Sequence, residues 1–100
     1  MATHVLLALA DRDRHGLGIA QEVESITSGR VALGAGTLYG TIKRLLEQGL
    51  IEDRAGSPRD DRDDPRRRYY RITALGRRAL SEETAGLARM LTAARAKRVL

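Results

Sequence analysis

The chain contains no cysteine among its 100 residues, so disulfides, thiolate metal sites and cysteine nucleophiles are excluded. It has no tryptophan and no phenylalanine, and its aromatic content is three tyrosines. Any binding site built on stacked rings would have to draw on Tyr39, Tyr69 and Tyr70 alone. Its two prolines, Pro58 and Pro65, fall within one short stretch, which leaves the rest of the chain free to form regular structure. No apolar run approaches the roughly 20 residues that span a bilayer. The opening MATHVLLALADRDRHG lacks a basic stretch before its apolar residues and turns acidic directly after them, unlike a secretory signal. The sequence therefore predicts a cytoplasmic protein without membrane contact.

Positive charge is what the chain has in excess. Lys and Arg total 18 against 13 Asp and Glu, a net charge of +5. Such a balance favours a polyanionic partner. Nearly all of the cations are arginine, whose planar guanidinium makes bidentate contacts to phosphate and guanine that lysine cannot copy. A GC-rich coding sequence would give the same bias.

The length suits one compact domain. The apolar run Ala2 to Ala10 predicts a first helix with Val5, Leu6, Leu7 and Leu9 buried. Asp11 to Arg14 reads as a charged turn. Leu17, Ile19, Ala20, Val23 and Ile26 recur at intervals of three and four, which predicts a second helix over His15 to Ser28 with Gly29 ending it. Arg30 to Ala35 reads as a connector with room for a short extended piece, and Gly34 and Gly36 as a tight turn. Thr37 to Gln48 reads as a third helix, capped by Thr37 and closed by Gly49. Centred on Ile42, its apolar arc takes in Leu38, Leu45 and Leu46. Thr37, Gly40, Arg44 and Glu47 then oppose that arc, with Lys43 and Thr41 on the flanks.

Two short strand-like segments follow, Leu50 to Arg54 and Arg68 to Ile72, joined by AGSPRDDRDDPRR (Ala55 to Arg67). They predict a two-stranded hairpin with a long loop. Thr73 caps a last helix that runs from Ala74 towards Lys97, about 35 Å long. Its apolar stripe is Leu75, Ala79, Leu80, Leu87, Leu91 and Ala94. The fold class is mainly α with a small β-hairpin. Residues 1–73 form a winged helix-turn-helix domain and residues 74–100 a C-terminal dimerisation helix.

The order helix, helix, helix, hairpin, helix carries the functional reading. A helix that reads DNA needs one apolar face to dock on its own domain and one polar face to enter the major groove. The third helix meets both needs. Gly40 permits close approach, Lys43 and Arg44 reach phosphate or base edges, and Thr37 and Thr41 can donate to phosphate. Tyr39, at the edge of the apolar face, can pack inward or present its hydroxyl. The plainer alternative is an ordinary amphipathic surface helix. On the returning wing strand Arg66, Arg67 and Arg68 are placed for phosphate contact, opposed by the acidic loop tip at Asp60, Asp61, Asp63 and Asp64. Strand alternation sets Arg67 on the opposite face from its two neighbours.

The stretches RHGLGIAQEVE (Arg14 to Glu24), LGAGTLYGTIKRLLEQGLIE (Leu33 to Glu52) and RRRYYRITALGRRAL (Arg66 to Leu80) resemble the PadR family of bacterial repressors. They span most of the chain in the family's order. The resemblance implies a homodimer that represses transcription from a pseudo-palindromic operator in double-stranded DNA. It places Tyr39 and Lys43 where that family contacts DNA. The short C-terminus is similar to the subgroup with a single dimerisation helix. Members of the family release DNA on binding small molecules, which leaves an unknown small-molecule effector open here. Relatives that hold planar drugs do so between aromatic residues, and this chain has no Trp or Phe for that purpose.

For the dimer the expected residues are Leu80, Leu87, Met90, Leu91 and Ala94, crossing a second copy. The alternative folds this helix back on its own domain. The two histidines, His4 and His15, and the acidic residues show no metal-ligand spacing, and DRDDP lacks the glycine and glutamate of a calcium loop. The sequence predicts no catalytic residues, no metal and no cofactor. Two other functions compete: a winged helix used for protein contact, and a binder of anionic membrane surfaces. The latter lacks the aromatic residues such helices favour.

Overall fold

A computed structural model describes residues 1–55 and 68–100. The expected loop between the hairpin strands, and with it Arg66 and Arg67, lies outside the described residues. The elements run α1 (Ala2–Ala8), β1 (Arg14–His15), α2 (Gly16–Ile26), α3 (Ala35–Glu47), β2 (Ile51–Ala55), β3 (Arg68–Ile72) and α4 (Ala74–Ala96).

One core joins them. Val5, Leu6, Ala8 and Leu9 from α1 and the segment after it meet Ile19 and Val23 of α2. Leu38, Ile42 and Leu45 of α3 close on these, with Ile51, Tyr70 and Ile72 of the sheet and Leu80 of α4. Leu7, expected inside, is 38% exposed, because α1 is a single short helix covered on one side. In α2 the buried positions are Gly16, Ile19 and Val23, while Leu17 and Ile26 stand at the surface.

The sheet has three strands in the order β1-β3-β2, all antiparallel, where the sequence predicted two. The added strand takes Arg14 from the segment read as a charged turn and His15 from the expected start of the second helix. Arg14 pairs with Tyr70 and His15 with Tyr69, which ties the start of α2 to the wing. The Arg14 side chain turns inward. Its Nε donates to the Ala8 carbonyl at 2.8 Å and its guanidinium meets Glu22 at 2.8 Å, so a cation closes the C-terminal end of α1 where the helix dipole favours one. A two-residue strand has no periodicity to detect, which is why the sequence hides it.

Helix ends follow local chemistry. His15 Nδ1 accepts from the Gly18 N–H at 3.0 Å and caps α2. Past α2 the chain reverses through Gly29 at φ +80°, whose N–H donates to the Glu24 carbonyl at 2.8 Å. The segment before α3 forms no strand, and α3 begins at Ala35 with Gly34 as its cap, two residues before the expected Thr37. Gly36 is thus a helical residue and not part of a tight turn. Thr73 caps α4 as its sequence position predicts, with Oγ1 accepting from the Gly76 N–H at 3.0 Å.

The junction between α3 and α4 is unusually close. Thr73 Oγ1 donates to the Gly49 carbonyl at 2.7 Å, and the Thr73 N–H donates to the Leu50 carbonyl at 3.1 Å. Gly76 rests directly on that same Leu50 carbonyl, with no space for a side chain. These contacts fix where α4 leaves the domain. Leu80 is 8% exposed and Gly76 is buried, but beyond them α4 leaves its own core. The longest dimension, 51 Å against 28 and 25 Å, reflects this projecting helix.

Candidate nucleic-acid interface

The buried arc of α3 is Leu38, Thr41, Ile42 and Leu45. On a helical wheel its centre lies about 50° from Ile42, displaced to the side of Leu45 and Thr41. The sequence placed the centre at Ile42, which misassigned the Thr41 edge and left the Tyr39 edge open. Thr41 was expected to face a phosphate; it is 1% exposed, and its hydroxyl donates to the Thr37 carbonyl at 2.8 Å. Buried in that way it cannot donate to DNA, and its remaining contact is the Arg44 guanidinium at 3.4 Å. Tyr39, on the opposite edge, is 52% exposed.

The surface left by this rotation carries Thr37, Tyr39, Lys43 and Arg44, all exposed, with Gly40 half-buried among them and open space where its side chain would be. It is polar, cationic and low in profile at its middle. Glu47 is the acidic residue at its C-terminal end.

The wing strands stand beside it, and their two faces differ. Ile51 pairs with Ile72 in the core, and further along the same face Asp53 pairs with Tyr70. Arg68 follows, its guanidinium 2.9 Å from the Asp53 carboxylate. Tyr70 is buried, and burial pushes its phenol above the usual tyrosine range, with the Asp53 charge and Tyr39 adding to the effect and Arg68 opposing it. The other face carries Glu52, Arg54, Tyr69 and Arg71. Asp13 meets Arg54 at 2.6 Å and Arg71 at 3.5 Å, and Glu52 meets Arg71 at 3.7 Å. These pairs spend wing cations on holding the strands to the segment before β1. Tyr69 packs edge-on against the His15 ring, centroids 5.5 Å apart. Both adjacent tyrosines are therefore buried, one on each face, which simple alternation would not give.

Residues 5–82 match the Transcriptional regulator PadR-like family. The chain belongs to that family. As a PadR-like protein it is a transcriptional regulator and not an enzyme. It is 36% identical to the Transcriptional regulator Rv3488 of Mycobacterium tuberculosis (strain ATCC 25618 / H37Rv), over 84% of this chain and 72% of that protein. Its fold superposes on a transcriptional regulator from Clostridium thermocellum with a TM-score of 0.76 at 24% identity, covering 95% of this chain and 89% of the other. It also superposes on Bacillus subtilis PadR, solved in complex with operator DNA, with a TM-score of 0.70 at 17% identity. That match covers 83% of this chain and 45% of PadR, and it is a likeness of fold. The mainly helical winged architecture expected from the sequence is the architecture of these PadR-like structures.

The residues expected at a dimer contact divide. Leu80 belongs to the chain's own core, held there because α4 packs on α1 through its first turns. Leu87, Met90 and Leu91 are 55%, 68% and 40% exposed, and Ala94 is half-buried. At 100° per residue Leu80, Leu87, Leu91 and Ala94 lie within about 40° of one line along α4. The stripe thus starts in the core and continues uncovered. Among the described residues no group of His, Asp and Glu could hold a metal ion, and no helix is long and apolar enough to cross a membrane.

Proposed function

We propose that this PadR-like regulator is a homodimeric repressor that binds a pseudo-palindromic operator. The helix α3 enters the major groove, with Thr37, Tyr39, Lys43 and Arg44 toward the DNA and Gly40 allowing close approach. Arg68 reaches the flanking backbone or minor groove from the wing, joined there by Arg66 and Arg67. Residues 1–73 supply DNA contact and residues 74–100 the dimer contact, with Leu80 and the first turns of α4 serving the domain core. The dimer forms where Leu87, Met90, Leu91 and Ala94 continue the core stripe beyond their own domain. A cytoplasmic location and release by a small-molecule effector complete the reading.

The observation that carries it is the partition of α3. Its apolar arc is spent on the core, and its outward face holds Lys43 and Arg44 with no acidic partner among the described ion pairs. A merely structural surface helix gains nothing from that arrangement, whereas a phosphate lattice does. The test is fluorescence anisotropy of the full chain with its own upstream DNA and with a scrambled duplex, across a salt series. Preference for the native duplex, with affinity falling steeply as salt rises, is expected. Equal weak binding to both duplexes would reduce the surface to a non-specific basic patch. Absence of binding at low salt would favour a protein-contact role.

A further inference from the structure

Gly16 is the first residue of α2 and is buried. A Cβ placed there would lie 2.5 Å from the Tyr39 hydroxyl oxygen, 2.9 Å from Tyr39 Cζ and 3.1 Å from Cε1. The ring of Tyr39, otherwise half exposed, therefore leans its outer edge directly on the Gly16 backbone. Among the described glycines no other would set a Cβ this close to a ring; Gly18 meets the His15 ring only at an ordinary 3.5 Å. The seat itself is fixed from three sides. His15 caps α2 through the Gly18 N–H, pairs with Tyr69 in the sheet, and packs on the Tyr69 ring. Tyr70, near enough to sense Tyr39 electrostatically, stands on the adjoining strand.

We infer that Gly16 is a positioning residue for DNA reading: its missing side chain makes the notch that holds the Tyr39 ring in one orientation on the DNA-facing side of α3. This rests on the operator-binding reading given above. A tyrosine at the edge of an amphipathic helix has several rotamers open to it, and an exposed ring pays entropy to be fixed when DNA arrives. The notch removes most of that cost by settling the ring beforehand. Gly16 carries no positive φ, so its backbone suits any residue and the glycine is not required by conformation. What an added methyl would strike is the far end of a side chain that can swing outward. The fold then survives, and the ring loses its place.

The experiment is a cycle of Gly16→Ala, Tyr39→Ala and the double variant, each measured for affinity to the native upstream duplex and to a scrambled duplex, with a thermal unfolding curve. For Gly16→Ala the melting temperature should hold, while native-duplex affinity falls about tenfold and scrambled-duplex affinity stays level. In the Tyr39→Ala background Gly16→Ala should add nothing. Wild-type affinity in Gly16→Ala, or losses that multiply in the double variant, would overturn the inference. A Gly16→Ala chain that melts early, with the deficit persisting in the double variant, would also overturn it, by making Gly16 a residue of the fold alone. If the parent chain itself does not prefer the native duplex, the operator reading fails first, and the inference with it.

Discussion

Gly76→Ala would disrupt the junction between the folded core and the projecting helix. A methyl on Gly76 would fall inside contact distance of the Leu50 carbonyl oxygen, and lie 2.9 Å from Ile72 Cγ1 and 3.0 Å from the Leu50 carbonyl carbon. The obstacle is backbone, so it cannot swing aside. Moving α4 outward stretches the Thr73 contacts to Gly49 and Leu50 at 2.7 and 3.1 Å. Overpacking of this kind costs about 1–3 kcal/mol, and each weakened hydrogen bond about 0.5–1.5 kcal/mol. Alanine returns about 0.5–1 kcal/mol through helix propensity. The net loss is about 1–5 kcal/mol, and its centre near 3 kcal/mol corresponds to a drop of roughly 10–25 °C in melting temperature for a domain of this size. The assay is urea and thermal unfolding by circular dichroism at one fixed protomer concentration, since self-association shifts the midpoint. Gly36→Ala, also within a helix but facing open space, is the internal control and should be neutral or stabilising by up to about 1 kcal/mol. A Gly76→Ala midpoint equal to that of the parent, or equal effects at both glycines, would refute the steric argument.

Three more outcomes follow from the same contacts. Leu87→Asp sets a carboxylate into the uncovered stripe of α4 and should weaken self-association about 100-fold or more while leaving the domain folded, read as a fall to protomer mass by light scattering. Unchanged mass would remove this stripe from the dimer. Asp53→Asn releases Arg68 from its 2.9 Å partner, so DNA affinity should rise at low salt and the log–log salt slope should steepen by about 0.9 for one added phosphate contact; an unaltered slope would take Arg68 out of the interface. Tyr70 should ionise above the ordinary phenol value of 10.0 in ultraviolet titration, because burial disfavours the phenolate. Since the folded form raises this pKa, the stability it contributes is complete below that value and is lost as pH rises through the folded pKa. In urea unfolding the midpoint should fall in that alkaline range, less so in Tyr70→Phe; a midpoint that rises there would contradict the sign.

What the sequence by itself determined was everything that local periodicity and local capping can encode. The 3.6-residue spacing of Leu38, Ile42 and Leu45 set α3 as amphipathic, Thr73 marked the start of α4, and Gly29 marked the end of α2. The stretches Arg14 to Glu24, Leu33 to Glu52 and Arg66 to Leu80 sufficed for the family. Tertiary structure decided which edge of each amphipathic face is buried, because that depends on neighbours many residues away. It rotated α3 so that Thr41 is inside and Tyr39 outside, and it gave Leu80 to the core while leaving Leu87 uncovered. It also made β1 from two residues whose only reason to be a strand is the unpaired edge of β3. The glycines at 16 and 76 are the clearest case. Nothing in the local sequence sets them apart; in space each is a gap filled by one neighbour, the Tyr39 ring and the Leu50 carbonyl, and no local pattern records a gap whose other wall lies more than twenty residues away.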